Sequence, residues 1–204
     1  MNKEEDSIEK KNFEYYNKKA TEYTKSTLYV DFTEIQEWFT SYLDKGSLIL
    51  DFGCGSGRDS LAFLKMGYKV EPMDGSPIFC SIAENVTHLK IKNLRFTQLN
   101  ERRKYDGVWA CASLLHVPFK DLPSIFAKIN LALKKSGIVY CSFKYGNFEG
   151  VRNGRYFTDL TEEKFDKLIY DEDLFDIIET KVTSDVRKGR ESEKWLNVIL
   201  KKVN

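Results

Sequence analysis

The sequence predicts a doubly wound α/β domain with a helical N-terminal extension, and three observations lead there. From Ser47 onward, short apolar runs alternate with helical stretches, the mark of βαβ units around a parallel sheet buried on both faces. The first run, SLILDF (47–52), leads directly into a glycine-rich turn. The last two runs, LFDIIETKVTS (174–184) and WLNVILKKV (195–203), have no helix between them, so an antiparallel pairing is expected at one edge of the sheet. A length of 204 residues favours one domain, divided here into a helical lid (1–45) and an α/β core (46–204).

Residues 1–12 are polar and read as a frayed end. The spacing Phe13, Tyr16, Ala20, Tyr23 then predicts a helix, and Phe32, Ile35, Phe39, Tyr42, Leu43 a second one. Both suit plain amphipathic packing, although the polar rings of Tyr15, Tyr16 and Tyr23 can also cover a pocket. After SLILDF comes a helix over Arg58–Met66, then the strand KVEPMD (69–74), where Pro72 is tolerable only if no neighbour needs its missing N–H. Pro77 suits the first turn of the helix 77–85. LRFTQL (94–99), GVWACA (107–112) and GIVYCSFK (137–144) read as strands three to five, with a helix over 121–133 between the last two. Thr161 is the expected N-cap of a helix to Tyr170, with Glu162 and Glu163 in its first turn.

Composition narrows the function. Hydrophobic residues make up 42% and charged ones 31%, a globular balance. No apolar run approaches the length of a membrane span, and MNKEEDSIEKKNFEYY has no apolar core of a secretory signal, so a cytoplasmic protein is expected. Lys and Arg number 32 against 31 acids, a net charge of +1 that argues against a nucleic-acid partner. Cys54, Cys80, Cys111 and Cys141 are scattered and the only histidines are His88 and His116, so no metal site is expected.

The informative chemistry lies at strand ends. Ligands of such sheets bind at the carboxyl ends of the strands, near the point where strand order reverses. Strand one ends in Asp51-Phe52-Gly53-Cys54-Gly55-Ser56-Gly57-Arg58, whose alternate glycines permit a tight turn and a close approach of ligand to backbone. Asp74 ends strand two, 23 residues after Asp51, where a carboxylate can accept from the paired hydroxyls of a ribose. A nucleoside-containing cofactor follows. The dinucleotide fingerprint G-x-G-x-x-G is not met, because Arg58 stands at its third glycine and the spacing is G-x-G-x-G.

With these residues in view, LILDFGCGSGRDS resembles the first motif of the class I S-adenosylmethionine (SAM)-dependent methyltransferases. VEPMDGSP is similar to their acidic second-strand motif, and YDGVWACASLLHV (105–117) to their fourth-strand motif. The likeness is close over residues 45–145. KYG…GRYF (144–157) and WLNVILKK (195–202) further resemble small stand-alone bacterial members of a tellurite-resistance-like subgroup. The resemblance implies a Rossmann-like seven-stranded sheet, mostly parallel with an antiparallel edge strand, and SAM as cofactor. Carried over by position, it places Asp51 behind the glycine loop, Gly53, Cys54 and Gly55 along the methionine portion, and Asp74 on the ribose. Gly75, Ser76, Gln98 and Leu99 fall at the adenine, Ala110 and Cys111 under the methionine portion, and Tyr16 and Tyr23 over the pocket. Gln98 stands where the family often has an acid. Ala112-Ser113-Leu114-Leu115 replaces the Asn/Asp-Pro-Pro-aromatic segment of methyltransferases that act on nucleobase amines, which argues against that chemistry.

Methyl transfer from a sulfonium is an in-line displacement, and a base is needed only where the acceptor must lose a proton. His116 is the candidate base, with a packed histidine at the end of strand four as the alternative. Cys111 suits a small core residue better than a nucleophile, and His88 a surface position. Lys144, Arg152, Arg155 and Tyr156, following strand five, are the candidate acceptor-binding residues. They suggest a small molecule carrying a carboxylate, phosphate or similar oxyanion. A non-catalytic SAM-binding module and a nicotinamide-dependent oxidoreductase are the competing readings, the latter opposed by the glycine spacing.

Overall fold

The computed structural model describes residues 3–170 and 173–203, with the backbone alone at 3–7 and 9. The first helix, α1 (Lys3–Thr27), is one continuous element that begins well before Phe13, so the fraying expected of residues 1–12 is not found from Lys3 onward. α2 (Thr33–Thr40) follows and buries Ile35, Trp38 and Phe39. The core then alternates as β1 (Leu48–Phe52), α3 (Arg58–Lys65), β2 (Lys69–Asp74), α4 (Pro77–Thr87), β3 (Lys92–Asn93), β4 (Tyr105–Ala110), α5 (Leu122–Ala132) and β5 (Leu133–Lys144). After β5 come β6 (Glu149–Arg152), β7 (Arg155–Thr158), α6 (Glu162–Tyr170), β8 (Phe175–Ser184) and β9 (Lys194–Lys202).

Seven strands form one sheet in the order β3-β2-β1-β4-β5-β9-β8. β1 pairs parallel with β2 and β4, and β4 with β5, while β9 runs antiparallel to both β5 and β8. The expected antiparallel pair thus forms at this end of the sheet, with β9 inserted one place in from the edge. Strand order reverses between β1 and β4, which opens the crevice at their carboxyl ends. Alternate residues of β1 and β4 face opposite layers. Ile49 and Trp109 pack with Phe39, Phe63 and Tyr140 under α2 and α3, whereas Leu50 and Val108 join Phe126, Ile129 and Phe165 of α5 and α6. A sheet covered on both faces explains why the parallel strands read as unbroken apolar runs.

Two sequence expectations change. The third strand is only Lys92–Asn93, not 94–99. The chain leaves the sheet after Leu94 and turns through a short 3₁₀ segment, Phe96–Gln98, in which the Gln98 side chain accepts from the Arg95 N–H at 2.8 Å. No β3 residue stands opposite Pro72, since Lys92 and Asn93 pair with Met73 and Asp74, so its missing N–H leaves that ladder intact. Second, the stretch after β5, expected to be a basic loop, is the hairpin β6–β7. Asn153 and Gly154 take φ of 53° and 79°, the left-handed pair required by a tight type I′ turn.

Candidate functional site

The glycine loop, residues 53–57, leaves β1 with φ of 91° at Gly53, 52° at Gly55 and 82° at Gly57. The loop is anchored from β2. The N–H groups of Gly53 and Cys54 donate to the Met73 carbonyl, both at 2.9 Å, and Gly55 N–H donates to Asp74 Oδ2 at 2.9 Å. Asp74 Oδ1 accepts from Ser76 N–H at 2.8 Å. Each carboxylate oxygen therefore holds one backbone donor and retains a lone pair. Burial pushes the Asp74 carboxyl above its ordinary range, against the pull of those two N–H groups. A Cβ at Gly53 would meet Ser113 Cβ at 2.6 Å, while one at Gly55 would meet nothing within 4 Å. Gly53 is thus demanded by packing, and Gly55 faces open space.

That space is a cavity of about 400 Å³ at the carboxyl ends of β1, β2 and β4. Gly53, Cys54, Gly55, Asp74, Gly75, Ser76, Tyr16, Tyr23, Cys111 and His116, all expected from the sequence, line it. Four expected residues do not. Asp51 lies beneath the loop, where it accepts from Ser60 Oγ at 2.5 Å, and burial together with the nearby Asp59 raises its carboxyl pKa. Ala110 is wholly buried in β4. Leu99 is buried in the core and Gln98 turns outward onto its own backbone. Because β3 is so short, Leu94, Arg95, Phe96 and Thr97 form that wall instead. Cys111 has its thiol pushed up to about 12 by burial, so it is no nucleophile near neutrality.

α1 closes the cavity through specific bonds. Asn17 Oδ1 accepts from Ser76 Oγ at 2.6 Å, and the Phe13 ring lies so close to Gly75 that a Cβ there would meet it at 2.4 Å. Buried Asn12 bridges two elements, accepting from Tyr156 N–H at 2.8 Å and donating to the His116 carbonyl at 3.3 Å. On the α3 side, Arg58 lines the same cavity. It pairs with Asp59 at 2.8 Å and lies 4.7 Å from the Phe32 ring centre. Asp59 also accepts from Gln36 at 2.7 Å and Trp109 at 2.9 Å. Sequence reading passed over Arg58, although its place directly after the loop was visible.

A second cavity, about 450 Å³, adjoins the first, and Tyr16, Tyr23, Ala112, His116, Arg187 and Trp195 line both. Lys144, Arg152 and Arg155 line it, whereas Tyr156 does not and bonds Glu149 at 2.9 Å. Its cations differ in partnership. Lys144 pairs with Glu193 and Asp185, Arg187 grips Asp185 through two side-chain nitrogens, and Arg152 is bidentate to Asp159 at 2.9 and 3.0 Å. The Arg187 guanidinium, with further donors, holds the Asp185 carboxyl well below the usual range. Arg155 has no carboxylate partner among the described residues. It stands 4.6, 5.6 and 4.9 Å from the ring centres of Tyr15, Tyr16 and Phe157, donates from Nη1 to Tyr16 Oη at 3.1 Å, and its buried Nε has no hydrogen-bond partner among the described residues. Tyr15 thus belongs to the surroundings of Arg155 and not to the first cavity.

His116 joins these groups. Its Nε2 lies 2.5 Å from Tyr16 Oη and its Nδ1 2.6 Å from the Tyr156 carbonyl. Burial in the cavity wall, with Arg155 adding repulsion, lowers its pKa to about 4.

A family model described as a methyltransferase domain matches residues 49–137. No curated protein matches the chain. Among solved structures, the chain is similar to the 1,6-didemethyltoxoflavin N1-methyltransferase of Burkholderia thailandensis, which holds 1,6-didemethyltoxoflavin and S-adenosylhomocysteine. That likeness has 16% identity over 98% of this chain and 91% of that one, with a TM-score of 0.80. A SAM-dependent methyltransferase of Methanosarcina mazei is 21% identical over 85% of this chain and 99% of its own, at 0.72. The magnesium protoporphyrin IX methyltransferase of Synechocystis, with bound S-adenosylhomocysteine, is 18% identical over 93% and 97%, also at 0.72. At these identities the structures speak for the fold.

Proposed function

We propose that this chain is a class I SAM-dependent methyltransferase whose methyl acceptor is a small molecule bearing an oxyanion, held by Arg155 in the second cavity. The cofactor is S-adenosylmethionine, which when bound supplies an electrophilic methyl group on a sulfonium. The donor set fits it. Asp74 retains acceptor capacity on both oxygens for the two ribose hydroxyls, and the open face of Gly55 leaves room for a ligand against the backbone. In this reading Gly53, Cys54 and Gly55 run along the methionine portion, Gly75 and Ser76 border the adenine, and Phe96 and Thr97 take the wall expected of Gln98 and Leu99. Asp51 serves from beneath, through Ser60. Tyr16 and Tyr23 on α1 exclude water.

One observation carries the acceptor reading. Arg155, which lines the second cavity and bonds Tyr16 where the two cavities meet, is a guanidinium without a carboxylate partner among the described residues, while Lys144, Arg152 and Arg187 are already neutralised. A planar fork in an aromatic cage is suited to grip a carboxylate or phosphate and so aim the nucleophile at the methyl. The small size of the second cavity supports a metabolite, as does the small ligand named for the Burkholderia relative. The test is methyl-labelled SAM incubated with a fractionated metabolite extract. The labelled product should be small and retained on an anion exchanger, and Arg155→Ala should lower turnover at subsaturating acceptor at least tenfold with little change in SAM affinity. A neutral product, label in macromolecules, or equal turnover by the variant would overturn the reading.

A further inference from the structure

We propose that Tyr16 and His116 form a proton relay at the junction of the two cavities, which takes the proton of a hydroxyl or amine acceptor and is switched on by the anion on Arg155. The relay rests on the oxyanion reading above, and its direction follows from the hydrogen bonds. The Tyr156 carbonyl can only accept, so His116 Nδ1 carries the proton. Nε2 is then the bare lone pair, and Tyr16 O–H, 2.5 Å away, must donate to it. The Tyr16 oxygen in turn accepts from Arg155 Nη1. The chain therefore runs Arg155, Tyr16, His116, Tyr156 carbonyl, across α1, the 114–116 turn and β7, and buried Asn12 ties its far end together. His116 and Tyr16 both line the two cavities, which sets the hydrogen-bonded pair where an acceptor can meet it.

The atoms balance without a further reactant. The acceptor's proton passes to Tyr16 Oη as the Tyr16 proton passes to His116 Nε2. The electron pair left on the acceptor forms the new bond to the methyl carbon, and the pair of the broken carbon–sulfur bond stays on sulfur. His116 ends as an imidazolium whose Nδ1–H still faces the Tyr156 carbonyl.

Electrostatics supply the switch. The groups facing the pair are Tyr15 and Tyr23 from α1 and Arg155 from β7, with the uncharged rings of Phe79 and Phe157 completing the surroundings. Burial opposes ionisation of both residues, and Arg155 adds repulsion toward a charged His116, so the relay is a poor base while Arg155 is unpaired. An anion on Arg155 cancels that repulsion and brings a negative charge close to the ring, and opposite charges at such range move a pKa by about 1–3 units. Proton removal is thereby tied to an acceptor that carries the right group.

With only two histidines, ring NMR on the full chain tests this directly, His88→Asn identifying the surface signal. Sulfate is the probe, because it stays ionised throughout the titration. At pH 7 His116 should show the Nδ1–H tautomer, and sulfate should raise its titration midpoint by about one unit or more. Arg155→Ala, or Arg155→Gln if the first does not fold, should abolish that response and raise the midpoint without sulfate. Sulfate bound through Arg155 by calorimetry, with an unmoved His116 midpoint or an Nε2–H tautomer, overturns the relay and leaves the oxyanion reading standing. No sulfate binding at all removes both.

Discussion

Asp74→Asn is the sharpest perturbation of the proposed cofactor site. The wild-type carboxylate is held by two backbone donors, Gly55 N–H at 2.9 Å and Ser76 N–H at 2.8 Å, and offers its remaining lone pairs to the cavity. The amide keeps the shape but exposes one NH₂ either to a ribose hydroxyl or to one of those N–H groups, and it removes the charge from every bond. Loss of a charge-assisted hydrogen bond costs roughly 1.5–3 kcal/mol. At 1.4 kcal/mol per decade that weakens SAM binding roughly 10- to 150-fold. The N–H left facing the amide nitrogen adds about 1–3 kcal/mol of lost stability, so the melting temperature falls as well. Calorimetry with S-adenosylhomocysteine, on protein shown to be folded by circular dichroism, reads the affinity. Because burial raises the Asp74 pKa, wild-type affinity should also fall on acidification toward the carboxylate range, a dependence the amide variant loses. A folded variant that binds with wild-type affinity, or with an unaltered pH dependence, would refute the ribose assignment.

Three further outcomes are expected. Gly53→Ala should destabilise the fold by several kcal/mol, since its Cβ would meet Ser113 at 2.6 Å on a residue at φ 91°, whereas Gly55→Ala, with open space before it, should reduce SAM affinity more than melting temperature; the reverse ranking contradicts the roles given to the two glycines. Deleting residues 1–27 should speed cofactor loss by removing Asn12, Phe13, Tyr16 and Tyr23 from the cavity wall and the Asn17 bond to Ser76, and unchanged cofactor dissociation would show that α1 is not a lid. Burial lowers the His116 pKa to about 4, so the unfolded chain binds more protons between pH 6.5 and 4, and stability from this group is lost as pH falls through that window. That amounts to about 2 kcal/mol between pH 7 and pH 5, and because Asp51 titrates in the opposite sense, the measurement is the difference in urea stability between wild type and His116→Gln at each pH, which should shrink on acidification.

The sequence by itself determined the sheet, the glycine loop and Asp74, because each rests on contiguous residues. An apolar run makes a buried strand, alternate glycines make the turn after it, and an acid at the end of the second strand is carried beside the first by parallel pairing. The Asn153-Gly154 turn was equally local, a hairpin signal lying inside what read as a basic loop. Gln98 and Leu99 were misplaced because strand length is settled by pairing, and β3 offers β2 only two partners before the chain turns away. Tertiary structure alone decided which charges are free. Lys144 and Arg152 look as available as Arg155 in the sequence, but folding brings Glu193, Asp185 and Asp159 to the first two and only tyrosine and phenylalanine rings to the third. The same holds for His116, whose tautomer is set by a carbonyl 40 residues away and a tyrosine 100 residues away. A side chain's charge and proton depend on neighbours that the chain meets only when it closes on itself.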